Sequence, residues 1–259
     1  MPIPTLAQAV LGTASGSVVG FSLGLVGGGG SILAVPALVY VVGVTSAHVA
    51  IGTSAVAVAA NAALGLSNHA RHSNVRWPCG LAFAAAGILG AAVGAQFGRM
   101  VDGQRLLAAF AVMMVAVAAL MLRRRDPDTD RHVRLNRENA PRLLASGLGV
   151  GTLSGFFGIG GGFLIVPALV MSTGLPTGQA IGTSLVAVTA FGLTTATSYA
   201  AAGLVDWWLV ALFILGGALG SLFGTRAARH LATKRGALTR LFAGLILAVA
   251  GYTLVRSLS

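Results

Sequence analysis

The chain alternates between long apolar stretches and short polar interruptions, and the stretches fall into two sets of five. The first set covers 5–26, 30–42, 46–68, 77–98 and 104–122. The second covers 143–157, 161–173, 177–199, 207–225 and 236–255. Most approach the length of about 20 residues that carries a helix across a hydrocarbon core roughly 30 Å thick. The second stretch of each set is too short for that, at about 1.5 Å of rise per residue. It follows a run of glycines and contains Pro36 or Pro167. The pattern therefore predicts a half-helix or a broken helix at both places.

The two sets are copies of one unit. Aligning "GLVGGGGSILAVPALV" (24–39) with "GFFGIGGGFLIVPALV" (155–170) gives ten identities in sixteen positions. Aligning "AIGTSAVAV" (50–58) with "AIGTSLVAV" (180–188) gives eight in nine. Trp77 then falls on Trp207, and Gly87, Gly90 and Gly94 fall on Gly217, Gly220 and Gly224. The predicted organisation is a first membrane repeat over 1–122, a basic linker over 123–142 and a second membrane repeat over 143–259. The linker holds seven arginines, four acids and two prolines, a composition that suits water and not lipid.

Composition narrows the class. Of 259 residues 56% are hydrophobic and 9% charged, against roughly 25% charged in soluble domains. Residues 1–70 and 143–205 contain no Lys, Arg, Asp or Glu. A soluble fold could not build a polar surface from this, so the chain is predicted to be an all-α polytopic membrane protein. The opening "MPIPTLAQAV" lacks the basic start of a cleaved leader, so its apolar run reads as a retained helix. The net charge of +11 comes from arginine clusters between apolar runs. They sit where cytoplasmic loops are expected, which argues against nucleic acid as a partner. With inverted repeats, the loop at 69–76, the linker and the loop at 226–240 all fall on the cytoplasmic side of a bacterial inner membrane. Both termini then lie in the periplasm.

Glycine occurs in two patterns. Gly12, Gly16, Gly20 and Gly24 recur every fourth residue, as do Gly90, Gly94 and Gly98, and Gly147, Gly151 and Gly155. That spacing lets helix backbones approach closely in lipid and predicts packing. The consecutive glycines of "GGGGS" (27–31) and "GIGGG" (158–162) make no spaced face. Backbone that leaves helical geometry at membrane depth must line a cavity or be buried in protein. Its N–H groups carry partial positive charge at the start of the next helix. Gly29, Gly30 and Ser31, with Gly160, Gly161 and Gly162, are thus candidate contacts for a small anion, one set from each repeat. A nucleotide loop would need a lysine close by, and a dinucleotide fingerprint an acid about 20 residues on; neither is present.

The paired "GTS" blocks are the second candidate. The hydroxyls of Thr53, Ser54, Thr183 and Ser184 could donate to an anion without bringing full charge into lipid. They could equally bond back to a carbonyl one turn earlier. Asn61 aligns with Phe191, so any role for it belongs to one repeat only. His48, His69 and His72 lie near segment ends, and Trp77, Trp207 and Trp208 begin spans as aromatic-belt residues do. One cysteine, Cys79, excludes an internal disulfide, and no metal or cofactor constellation is visible.

The doubled blocks "GLVGGGGSILAVPALV", "AIGTSAVAV", "GFFGIGGGFLIVPALV" and "AIGTSLVAV" resemble the duplicated signature of the sulfite exporter TauE/SafE family. The resemblance covers nearly the whole chain. It implies a multi-pass inner-membrane permease for sulfite or related organosulfur anions such as sulfonates, often exported. Independently of it, apolar segments whose only basic residues are Arg105 and Arg240, near segment starts, suit weak anion binding by backbone N–H groups and hydroxyls. A membrane protein of the same fold acting on another small solute is the alternative. An intramembrane enzyme would need a nucleophile with a base or a metal cluster, and neither is apparent.

Overall fold

The computed structural model describes residues 6–71, 73–123, 139–158, 160, 162–231 and 237–258. Its regular structure among these is all helix, joined by short turns. Helix α1 covers Leu6–Val26 and runs into a 3-10 segment, Gly27–Leu33. A single α turn, α2 (Ala34–Pro36), and a π turn, Ala37–Val41, complete the first bent stretch. Then follow α3 (Ala47–Arg71), α4 (Trp77–Met100) and α5 (Gly103–Arg123). The second repeat has α6 (Ala140–Phe157), α7 (Gly162–Thr173), α8 (Thr177–Ala201), α9 (Trp207–Leu231) and α10 (Ala237–Leu258). Five of these helices are long and apolar enough to cross a membrane: those over 6–25, 47–71, 77–100, 178–201 and 207–227.

The helices keep close to the apolar pattern, with one instructive extension. Helix α9 continues to Leu231, so Arg226 and Arg229, expected in a loop, stand on its last turns. Arg240 likewise lies on α10. Helices can project beyond the hydrocarbon, and hydropathy marks only the apolar part. Most of the linker, 124–138, and 232–236 lie outside the described residues. The outward faces of the spans carry Leu81, Leu89, Phe97, Leu215, Leu219 and Phe223 exposed, as lipid requires. Trp77, Trp207 and Trp208 are also exposed, each in the first turn of its span.

The repeats interlock and do not stand side by side. Helix α1 packs on α9, and its counterpart α6 packs on α4. In both pairs the glycine stripes are the contact. A Cβ at Gly16 would come within 2.6 Å of the Phe213 carbonyl oxygen, and one at Gly147 within 2.7 Å of that of Phe83. Gly20 faces Gly217 in the same way, and Gly151 faces Gly87. The partners climb together, so each pair is parallel. Without a hydrophobic drive between helices in lipid, such close backbone approach is what holds them.

At the centre α3 packs on α8, its own counterpart. Gly52 at the start of α3 meets Tyr199 near the end of α8. Gly192 meets Ala55 and Ala59, and Gly182 at the start of α8 meets His69 near the end of α3. The two equivalent helices are therefore antiparallel and form a central seam. Helices α5 and α10, a further equivalent pair, pack on one another.

Candidate functional site

Both glycine clusters interrupt regular α-helix. At the second, α6 ends on Gly158 in the left-handed region, φ +66°. That is the usual way a glycine closes a helix. Gly160 is left-handed again, φ +64°, before α7 begins at Gly162. At the first, the chain stays right-handed but tightens into the 3-10 segment. Pro36 follows and removes an N–H donor. Beyond it the winding widens, with the Val42 N–H donating to the Ala37 oxygen at 3.0 Å.

The segment that holds the first cluster packs against the short helix that follows the second. The 3-10 segment packs against α1, α7 and α8, and α7 in turn packs against α6 and α8. Gly160 sits at the seam itself: a Cβ there would be 3.3 Å from Val58 of α3 and 3.3 Å from Val188 of α8. Those two valines are equivalent positions in the repeats. Gly158 lies against Ile51, and its carbonyl accepts a hydrogen bond from the Ser54 hydroxyl at 3.4 Å. Gly30, Ser31, Gly160 and Gly162 are all buried. Gly29 belongs to the 3-10 segment. Gly161 lies outside the described residues.

The hydroxyls of the GTS blocks divide into two roles. Ser54 and Ser184 donate back to Ile51 and Ile181, at 2.8 and 2.7 Å. Thr53 and Thr183 instead reach across the repeat boundary. The Thr53 hydroxyl accepts the Asp206 N–H at 3.0 Å, and the Thr183 hydroxyl accepts the Arg76 N–H at 2.9 Å. Each threonine thereby latches the first residue before a long span of the other repeat. Because α3 and α8 are antiparallel, the two threonines stand at opposite ends of the seam. Sixteen residues of α8 separate Thr183 from Tyr199, the neighbour of Gly52, which is roughly 24 Å. One small anion cannot touch both.

The polar groups at the span starts are spoken for locally. Asp206 accepts the N–H groups of Trp208 and Leu209 at 3.0 and 3.1 Å, capping α9. Asp102 does the same for α5 through Gln104 and Arg105. Asn61 is buried, with its amide nitrogen 3.4 Å from the Phe213 carbonyl. Phe191, its counterpart, stacks on Phe83, the counterpart of Phe213. Sequence reasoning missed the cross-repeat role of the threonines. The signal available was the identical spacing from each threonine to the residue before the next tryptophan.

Apolar outer faces, several spanning helices and interlocked repeats with paired chain breaks at the core define a polytopic helical membrane protein of transporter architecture. The sequence profile described as sulfite exporter TauE/SafE matches residues 12–253. A probable membrane transporter protein of Xylella fastidiosa (strain 9a5c) is 48% identical over 255 residues, covering 98% of this chain and 97% of that one. The probable membrane transporter protein YunE of Bacillus subtilis (strain 168) is 28% identical over 246 residues, covering 87% and 89%. No solved structure matches the chain. The chain belongs to the sulfite exporter TauE/SafE family and is a membrane transporter.

Proposed function

We propose that the protein carries small oxyanions, sulfite or related organosulfur anions such as sulfonates, across the bacterial cytoplasmic membrane. The anion is held where the two glycine breaks meet, by N–H groups of Gly29, Gly30, Ser31, Gly160, Gly161 and Gly162. Ser54 and Ser184 border that place, and Thr53 and Thr183 meet the anion in passing, one at each end of the seam. The observation that supports this most is Gly160. It is a left-handed glycine wedged between equivalent valines, one from each repeat. Neutral donors suit a carrier, because binding stays weak enough for release. Export needs no coupled ion on energetic grounds: with the inside negative, each negative charge leaving gains roughly 2.3 kcal/mol per 100 mV.

The antiparallel run of α3 and α8 supports inverted repeats, with the basic segments 123–142 and 226–240 cytoplasmic. The function is tested by flux of labelled sulfite and of a labelled sulfonate in proteoliposomes. Saturable flux of either, lost in Gly160→Val, is expected; no flux of either in folded protein overturns the reading. Orientation is tested by thiol labelling of Asp128→Cys and Thr233→Cys in a Cys79→Ser background. Labelling by an impermeant reagent only after the inner face is opened is expected, and labelling from outside intact cells overturns it.

A further inference from the structure

A second polar cluster lies farther along the central seam. Val188, Gly192, Thr195 and Tyr199 recur at helical spacing and share one face of α8. Val188 touches Gly160, Gly192 touches α3, and Tyr199 packs against Gly52 at the start of α3. Thr195 lies about 10 Å beyond Val188 along the helix. Tyr199 and Thr195 are completely buried, and neither the Tyr199 nor the Thr195 hydroxyl has a hydrogen-bond partner among the described residues. The end of α4 brings Arg99 to the same place. One terminal nitrogen of Arg99 donates to the Ser198 carbonyl at 3.2 Å and the other to the Gln96 side-chain oxygen. Its Nε is buried without a partner, as is the Ser198 hydroxyl. Ser198, whose carbonyl Arg99 holds, stands directly before Tyr199 in α8.

A plain structural role accounts for only part of this. An arginine at a helix end can cap a carbonyl, and Arg99 does so at Ser198. That contact leaves unused one guanidinium donor and three hydroxyls, groups that proteins rarely bury unpaired. All are donors. A guanidinium presents parallel N–H bonds that match the oxygens of an oxyanion, and hydroxyls supply the remaining contacts. We propose that Arg99, Thr195, Ser198 and Tyr199 form a second oxyanion-binding station, at the α4–α8 end of the seam and distinct from the glycine breaks. Its use as a mouth of the transport path rests on the function proposed above; its capacity to bind an anion does not. The ligand class is a small oxyanion with three or more oxygens, sulfite, sulfate and sulfonates included.

The experiment is equilibrium binding of labelled sulfate and labelled methanesulfonate to the purified full chain, with chloride holding ionic strength constant. Arg99→Gln should weaken the Arg99-dependent component at least tenfold, and Arg99→Lys should restore part of it. Tyr199→Phe and Thr195→Val remove only unpartnered hydroxyls, and each should weaken binding about threefold. Gly160→Val should keep this component while losing flux. Binding unchanged in Arg99→Gln, or no binding of either anion to the wild type, overturns the station. Should Arg99→Gln fail to fold, unchanged binding in both hydroxyl variants overturns it equally. Flux that survives Gly160→Val, with Arg99-dependent binding intact, overturns the glycine site and leaves the station standing.

Discussion

The two glycine breaks share ten of sixteen residues, yet their backbones solve the same problem differently. The first stays right-handed, tightens to three residues per turn and relaxes through a π turn beyond Pro36. The second ends α6 outright with Gly158, passes through left-handed Gly160 and starts a new helix that carries Pro167 inside it. Neighbours explain the contrast. The first break folds onto its own helix: a Cβ at Gly30 would come 2.5 Å from the Ser22 carbonyl carbon. The second reaches the seam, where Gly160 fits between one valine from each repeat. A repeated sequence thus sets where a helix stops, and the surroundings set how.

The contrast breaks most readily at Gly160. Gly160→Val places a branched side chain at positive φ, worth about 1–2 kcal/mol, and overpacks the seam by about 1–3 kcal/mol more. Flux should vanish and the melting temperature in detergent should fall clearly. A variant with normal flux would show that the second break is not functional.

Gly16→Ala probes a glycine used only for packing. Its Cβ would meet the Phe213 backbone, costing about 1–3 kcal/mol as α1 and α9 part. Thermal unfolding should register this, while flux per folded molecule stays within about twofold. A loss of flux as complete as for Gly160→Val would erase the distinction between stripe and break.

Asn61→Phe sharpens the comparison by making the first repeat resemble the second. Gly217 offers the gap there that Gly87 offers to Phe191. The variant should fold, with stability changed by about 1 kcal/mol, typical of single substitutions. Failure to fold would show that the buried amide is needed for the first repeat's packing.

Thr53→Val and Thr183→Val should have the smallest effects. Each deletes one hydrogen bond between helices, about 0.6 kcal/mol in a membrane. Matching losses of stability, and matching falls in flux of less than about tenfold, are expected. Strongly unequal losses would show that the pseudo-equivalent latches are not equivalent in energy.

Much of this protein was legible along the chain. The spans, the repeat and the two breaks follow from local rules: lipid selects long apolar helices, and consecutive glycines do not sustain them. The glycine stripes announced close packing for the same local reason, since period four marks a helix face. What the stripes touch was not legible, because nothing in α1 says that its partner is α9 of the other repeat. Likewise Thr53 and Ser54 are adjacent in sequence, yet one latches Asp206 across the repeat boundary and the other bonds back to Ile51. Arg99 and Ser198, 99 residues apart, look like an interfacial arginine and a span-end serine until α4 and α8 bring them together. Local chemistry determined which elements form and where they end. Only the interlocking of the repeats decided which hydroxyls, glycines and charges share a site, because that depends on contacts between residues far apart in the chain.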